Sequence, residues 1–168
     1  QREVYEAVLE AADAAFQVVK PGAIFKDIHA AALAVVARRV SQWGFLPVDV
    51  DTALSPEGQH HRRYMIHGTS HHLGLDVHDC AQARREMYLE GELRAGMVFT
   101  IEPGIYFIPM LLDGLRAGPD GALLNTTLVE RLMPFGGIRI EDNVVVTADG
   151  VRNLTRSAFA DAATSTLQ

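Results

Sequence analysis

His67-Gly68-Thr69-Ser70-His71-His72-Leu73-Gly74-Leu75-Asp76-Val77-His78-Asp79 sets four histidines and two aspartates within thirteen residues of a largely aliphatic chain. Imidazoles and carboxylates are the side chains that ligate divalent ions and move protons near neutral pH, so this density calls for a chemical explanation. His67 and His71 would share a helix face at i, i+4, but Gly68, Gly74 and the lack of an apolar 3.6-residue period argue against a helix. From His72 to His78 the residues alternate, with Leu73, Leu75 and Val77 on one side and His72, Gly74, Asp76 and His78 on the other. That pattern predicts a loop running into a strand. Strict alternation would put His71 and His78 on opposite faces; both reach one cleft only if the backbone bends, and Gly74 is where it can.

Downstream, Met97 to Gly104 predicts a strand over 97–102 closed by a turn. Pro103 keeps its predecessor out of the helical region, so Glu102 stands at the strand end, on the face of Val98 and Thr100. Residues 110–132 are leucine-rich but interrupted by Gly114, Gly118, Pro119 and Gly121, which predicts short helical pieces. Ile138 to Thr147 predicts a second strand, with Arg139 and Glu141 on one face and Asp149-Gly150 as a hairpin turn.

Upstream, two apolar stripes predict a helix over 3–19: Val4, Val8, Ala11, Ala15 and Val18, then Tyr5, Leu9, Ala12, Phe16 and Val19. Pro21-Gly22 ends it. Asp27 is the expected cap of a second helix over 27–43, lined by Ile28, Ala32, Val36, Val40 and Trp43 and stopped by Gly44. Residues 46–62 read as loop with one short strand at most. The expected fold is α+β, with both helices on one side of a curved antiparallel sheet that contains 97–102 and 138–147.

The 168 residues, 48% hydrophobic, suffice for one domain with a buried core. A net charge of -6 without a basic run disfavours nucleic acid and anionic membranes as partners and leaves a small molecule. There is no spanning-length apolar run and no signal-peptide layout at the N-terminus. Cys80 is the only cysteine, so no internal disulfide forms; it reads as a small buried hydrophobe, and a reducing cytoplasm is the expected compartment.

Taken singly, each histidine is more often a hydrogen-bonded structural residue, Glu102 a strand terminus, and Arg139 with Glu141 a surface ion pair worth at most ~1 kcal/mol. Jointly, ligand-capable groups in three separated segments, two of them strands, fit a metal cleft better. A mononuclear iron oxygenase, with two histidines and one carboxylate, would need more strands than the chain offers.

Those three segments, the histidine stretch, Thr100-Ile101-Glu102-Pro103-Gly104-Ile105-Tyr106-Phe107 and Gly136-Gly137-Ile138-Arg139-Ile140-Glu141-Asp142-Asn143-Val144-Val145-Val146, resemble in order the Xaa-Pro peptidases. These are the prolidases and aminopeptidases P among the pita-bread metallopeptidases, and the likeness runs from Gln1-Arg2-Glu3-Val4-Tyr5 to Asn153-Leu154-Thr155. The resemblance implies a pita-bread fold and hydrolysis of the Xaa-Pro peptide bond by a water activated between two divalent ions, Mn²⁺ being favoured and Co²⁺ or Zn²⁺ also suitable. It implies His71, Glu102 and Glu141 as metal ligands, with Glu141 bridging. It places His67, His78 and Arg139 around the substrate, gives Glu102 a proton-carrying role and sets Tyr106 in the pocket wall.

Within that family, the segment from Ile105 to Gly137 is similar to bacterial prolidases. Asp79 to Arg84 and the short run from His71 to Glu102 are more similar to aminopeptidase P. A dipeptidase is the expected type, with Arg84, Arg85 or Arg94 open as holders of the substrate carboxylate. Relatives carry two aspartate ligands upstream of the position matched by Gln1. Residues 1–168 are therefore expected to be the C-terminal catalytic part, inactive alone and dependent on the N-terminal segment or on a second copy in a homodimer. A peptide-binding module on the same fold, without catalysis, is the alternative, and metal content separates the two.

Overall fold

Val4, Val8, Ala11 and Ala15 recur at helical spacing and are all buried, and they seat the first helix, α1 (Arg2–Val18), against the rest of the chain. In the computed structural model, which describes residues 1–165, α1 packs along α2 (Phe25–Gln42) and lies over the strands described below. Tyr5, of the second predicted stripe, is half exposed, so the buried arc is narrower than expected. In α2, Ile28, Ala32, Val36 and Val40 are fully buried, as their spacing predicts, and Gly44 ends the helix with a positive φ of 75°.

Asp27 is not the cap of α2. The helix begins two residues earlier, after Ile24, because Phe25 is anchored in an aromatic cluster with His72, Tyr88 and Phe99 at ring separations of 4.6, 5.2 and 5.5 Å. Asp27 lies in the first turn, where its charge faces the positive end of the helix. Residues 46–62 hold no strand either. Asp49 accepts a hydrogen bond from the Thr52 amide (2.9 Å) and starts α3 (Val50–Leu54), which a 3₁₀ turn at His60–Arg63 follows.

Among the described residues five strands follow: β1 (Val98–Ile101), β2 (Gly104–Tyr106), β3 (Gly137–Arg139), β4 (Asp142–Val146) and β5 (Val151–Asn153). They form two antiparallel sheets, one in the order β1-β4-β5 and one of β2 with β3. The single strand expected over 138–147 is thus two, parted at Ile140-Glu141, where the chain passes from one sheet to the other. Pro103, which cannot donate to a ladder, makes the matching break between β1 and β2. Asp149-Gly150 forms the β4–β5 turn, with the Thr147 amide on the Gly150 carbonyl at 2.9 Å. Between β2 and β3 the leucine-rich segment forms α4 (Pro109–Ala117), a 3₁₀ turn, α5 (Thr126–Leu132) and a second 3₁₀ turn; α6 (Leu154–Ser165) follows β5.

The strand predicted over 72–78 is displaced. Backbone pairing with β1 runs through residues 69–73: the amides of Glu102, Thr100 and Leu73 donate to the carbonyls of Thr69, His71 and Val98 at 2.7, 3.0 and 2.9 Å. Beyond His72 the chain turns, and the Asp79 amide returns to the His72 carbonyl at 3.0 Å. Leu75 and Val77 point into solvent, so their alternation with polar neighbours does not mark a buried face. The Asp79 carboxylate packs over Gly74, in space that a Cβ there would share with it. Cys80 is exposed rather than buried and sits at a φ of 56°; the hydrogen bond to Asp79 and that residue's charge push its thiol pKa up, which holds it in the unreactive thiol form.

Phe99, Ile101, Ile105, Phe107, Val144 and Val146 meet the buried faces of α1 and α2 in one core, the α+β arrangement expected. Among the described residues no helix is long and apolar enough to cross a membrane.

Candidate metal centre

His71 arrives on the segment paired with β1, Glu102 on the residue that follows β1, and Glu141 on the link between the two sheets. One ligand-capable atom from each lies within 4.8 Å of the other two, and among the described residues this is the group of three or more such side chains that converge so closely. His71 Nε2 is 3.1 Å from Glu102 Oε1. His71 Nδ1 faces the His72 carbonyl at 3.2 Å, where only a protonated Nδ1 can donate, so the lone pair of Nε2 is turned toward the carboxylates. The separation of 3.1 Å equals that of adjacent donors around one divalent ion held at about 2.1 Å, and two carboxylates with one imidazole suit such an ion. The donor set therefore fits a metal.

Glu102 is only 7% exposed, and both of its oxygens are held. The Thr100 hydroxyl donates to Oε1 at 2.9 Å, as the shared strand face predicted, and Arg139 Nη1 donates to Oε2 at 3.2 Å. Arg139 also gives its Nε–H to the Tyr106 hydroxyl at 2.7 Å, and that bond raises the pKa of its guanidinium. Tyr106 passes the polarity on. His67 donates from Nδ1 to the Gly68 carbonyl (2.7 Å), leaving Nε2 to accept the Tyr106 O–H at 2.7 Å. The Tyr106 ring lies across two glycines: a Cβ at Gly104 or at Gly137 would collide with it. His78, exposed, stands with its ring 4.4 Å from that of His71, so the bend at Gly74 brings both to one cleft.

All the residues expected at the site thus gather here: His67, His71, His78, Glu102, Tyr106, Arg139 and Glu141. The fourth histidine of the stretch does not. His72 stacks on Phe25 in the core, where burial lowers its pKa. Of the arginines considered for a substrate carboxylate, Arg85 is bound to Glu90 at 3.0 Å.

Sequence reasoning missed Thr69, Thr100 as a ligand-orienting group, and His29. The sign of His29 was a lone imidazole beside the aliphatic stripe of α2. Its Nδ1 lies 2.8 Å from Thr69 Oγ1 and accepts the Thr69 amide at 3.2 Å. Burial, with the charges of His61, His67 and Arg62, lowers its pKa from 6.5 to about 4. The unfolded chain takes up this proton first as pH falls, so the stability is present above about pH 6.5 and is lost on the way down to about 4. The full effect is at most about 3 kcal/mol. Denaturant midpoints of wild type and His29→Asn are expected to diverge across that window; parallel profiles would refute the buried neutral state.

Comparison with known proteins gives a consistent answer. Metallopeptidase family M24 matches residues 1–148. Xaa-Pro aminopeptidase 1 of Streptomyces coelicolor is 43% identical over 155 residues, 92% of this chain and 28% of that protein. The Xaa-Pro dipeptidase of Marinobacter nauticus is 45% identical over 147 residues, 83% of this chain and 34% of that protein. Zn-substituted E. coli aminopeptidase P in complex with product superposes with a TM-score of 0.73 at 32% identity, over 94% of this chain and 31% of that one. The chain therefore spans about a third of the length of these relatives, and its fold is the corresponding part of the pita-bread fold. The family match covers 148 of its 168 residues, and this chain belongs to Metallopeptidase family M24.

Proposed function

We propose that the protein hydrolyses the Xaa-Pro bond of dipeptides, with His71, Glu102 and Glu141 as ligands of a Mn²⁺ centre. The convergence of those three side chains within 4.8 Å is the observation that carries this reading. When bound, the ion supplies a Lewis acid for the scissile carbonyl and lowers the pKa of a water. The chain's own residues do the rest. Glu102, held through both oxygens, is oriented to carry a proton from the attacking water to the leaving imino nitrogen. Arg139, itself held by the Tyr106 hydroxyl, donates to Glu102 Oε2 and fixes its rotamer. His78, exposed beside His71, is placed to donate a hydrogen bond to the tetrahedral oxyanion, while His67, engaged at both ring nitrogens, orients the Tyr106 hydroxyl in the cleft wall. A set of oxygen donors with one nitrogen favours Mn²⁺ over softer ions, with Co²⁺ or Zn²⁺ as functional substitutes.

A second observation favours a dipeptidase over an aminopeptidase. His67 also walls a cavity of about 580 Å³ whose lining includes His29, His61, Arg62 and Arg85 and no carboxylate. Within this lining Arg62, bonded to the neutral Gln59 side chain rather than to a carboxylate, is the cation that suits the free C-terminal carboxylate that follows proline directly in a dipeptide. The full-length protein loaded with Mn²⁺ is expected to turn over Gly-Pro faster than Gly-Pro-Gly. Faster cleavage of the tripeptide would assign the activity to the aminopeptidase type instead, and a protein that binds the peptides without cleaving either would be a binding module.

A further inference from the structure

We propose that His29 is a positioning residue for the metal centre: from α2, forty residues earlier in the chain, it fixes the backbone of Thr69 and through it the placement of His67, His71 and Glu102. This rests on the metal-centre reading above.

Thr69 lies midway between His67 and His71 and is fully buried. All of its polar groups are engaged. Its carbonyl accepts the Glu102 amide at 2.7 Å, its amide donates to His29 Nδ1 at 3.2 Å, and its hydroxyl stands 2.8 Å from the same nitrogen. An amide can only donate, so Nδ1 must offer its lone pair, and the hydroxyl hydrogen points to it as well. His29 is therefore the neutral tautomer with its proton on Nε2.

The pairing with β1 cannot do this work by itself. Thr69 is the last rung of that ladder among the described residues, its carbonyl taking the Glu102 amide. Toward His67 the segment is held to β2 by the Tyr106 amide on the Tyr64 carbonyl (2.8 Å) and by the Tyr106 hydroxyl on His67, and His29 adds the tie to α2 at Thr69 itself. A helix supplies a stiffer reference than a loop, and outer partners of this kind orient ligands that would otherwise sample other positions.

The test uses the full-length protein freed of metal and titrated with MnCl₂ alone, with free Mn²⁺ read by electron paramagnetic resonance. Affinity is thereby measured apart from turnover. His29→Leu, which keeps the bulk and removes the acceptor, is expected to weaken Mn²⁺ binding by about 10–100-fold, the usual effect of losing an outer partner of a metal ligand. His29→Asn, whose Oδ1 can stand near the position of Nδ1, is expected to recover most of that loss. Thr69→Val, which keeps the amide and removes the hydroxyl, is expected to fall between wild type and His29→Leu.

Circular dichroism identifies any variant that fails to fold; should His29→Leu be one, the ranking of wild type, His29→Asn and Thr69→Val decides. Unchanged affinity in a folded His29→Leu or in Thr69→Val would overturn the role, as would equal weakening by Leu and Asn at position 29. A wild type that binds no Mn²⁺ would overturn the metal centre itself, and His29's role with it.

Discussion

Glu141→Gln is expected to lower Gly-Pro turnover by the Mn²⁺-loaded full-length protein more than about 100-fold while leaving the stability of the metal-free protein within about 0.5 kcal/mol of wild type. The two halves of that statement come from one fact. Glu141 is exposed at the link between the sheets, so an isosteric amide alters neither packing nor a buried hydrogen bond. Its expected value lies in the negative charge and the second oxygen it offers an ion. Loss of an outer partner alone typically costs 10–100-fold, so loss of a ligand should exceed about 100-fold, some 2.7 kcal/mol of transition-state stabilisation.

Glu102→Gln makes the control. Glu102 is buried and bound by Thr100 and Arg139, so its substitution should remove activity and also destabilise by on the order of 1–3 kcal/mol. Thermal melts and steady-state kinetics on the two variants separate these effects. Glu141→Gln with turnover close to wild type would remove that residue from the metal centre.

Residues 1–168 produced by themselves are expected to bind at most one Mn²⁺ per chain and to give no measurable turnover of Gly-Pro. The described residues bring three donors together, which is enough to hold one ion by its edge. A two-ion clamp at roughly 3.5–4 Å needs further carboxylates on its far side. Relatives about three times as long have room to provide them. Equilibrium dialysis counts the ions, and a peptide assay with added Mn²⁺ reads the activity. Two bound ions, or turnover by the isolated residues, would show that the three donors suffice.

Much of this was legible from residue types and spacing. The helices declared themselves because Val4, Val8, Ala11 and Ala15, then Ile28, Ala32, Val36 and Val40, keep one period over four turns, and burial followed that period. The face shared by Thr100 and Glu102 came from strand parity and is visible as a hydrogen bond. The places where reading failed share a cause. Leu75 and Val77 alternate like strand residues but project into water, because the competing signal, the Asp79 carboxylate packed over Gly74, is a contact between residues that no local period encodes. Strand propensity across Ile138 to Val146 is continuous, yet the ladder partner changes at Glu141, and a partner is a tertiary choice. Phe25 overrode Asp27 as the start of α2 through aromatic contacts with residues far along the chain. His29 escaped notice because its partner is forty positions away.

The position of Glu141, on the two-residue passage between sheets, has a consequence for folding. An ion held by His71, Glu102 and Glu141 would cross-link the chain at three points, closing successive loops of about 30 and about 40 residues. Such closure restricts the unfolded ensemble as a disulfide would, and it draws the three-stranded sheet, the two-stranded sheet and the histidine loop to a common point. Occupancy and foldedness then become one linked equilibrium, in which the cation acts as a removable staple whose strength follows its free concentration.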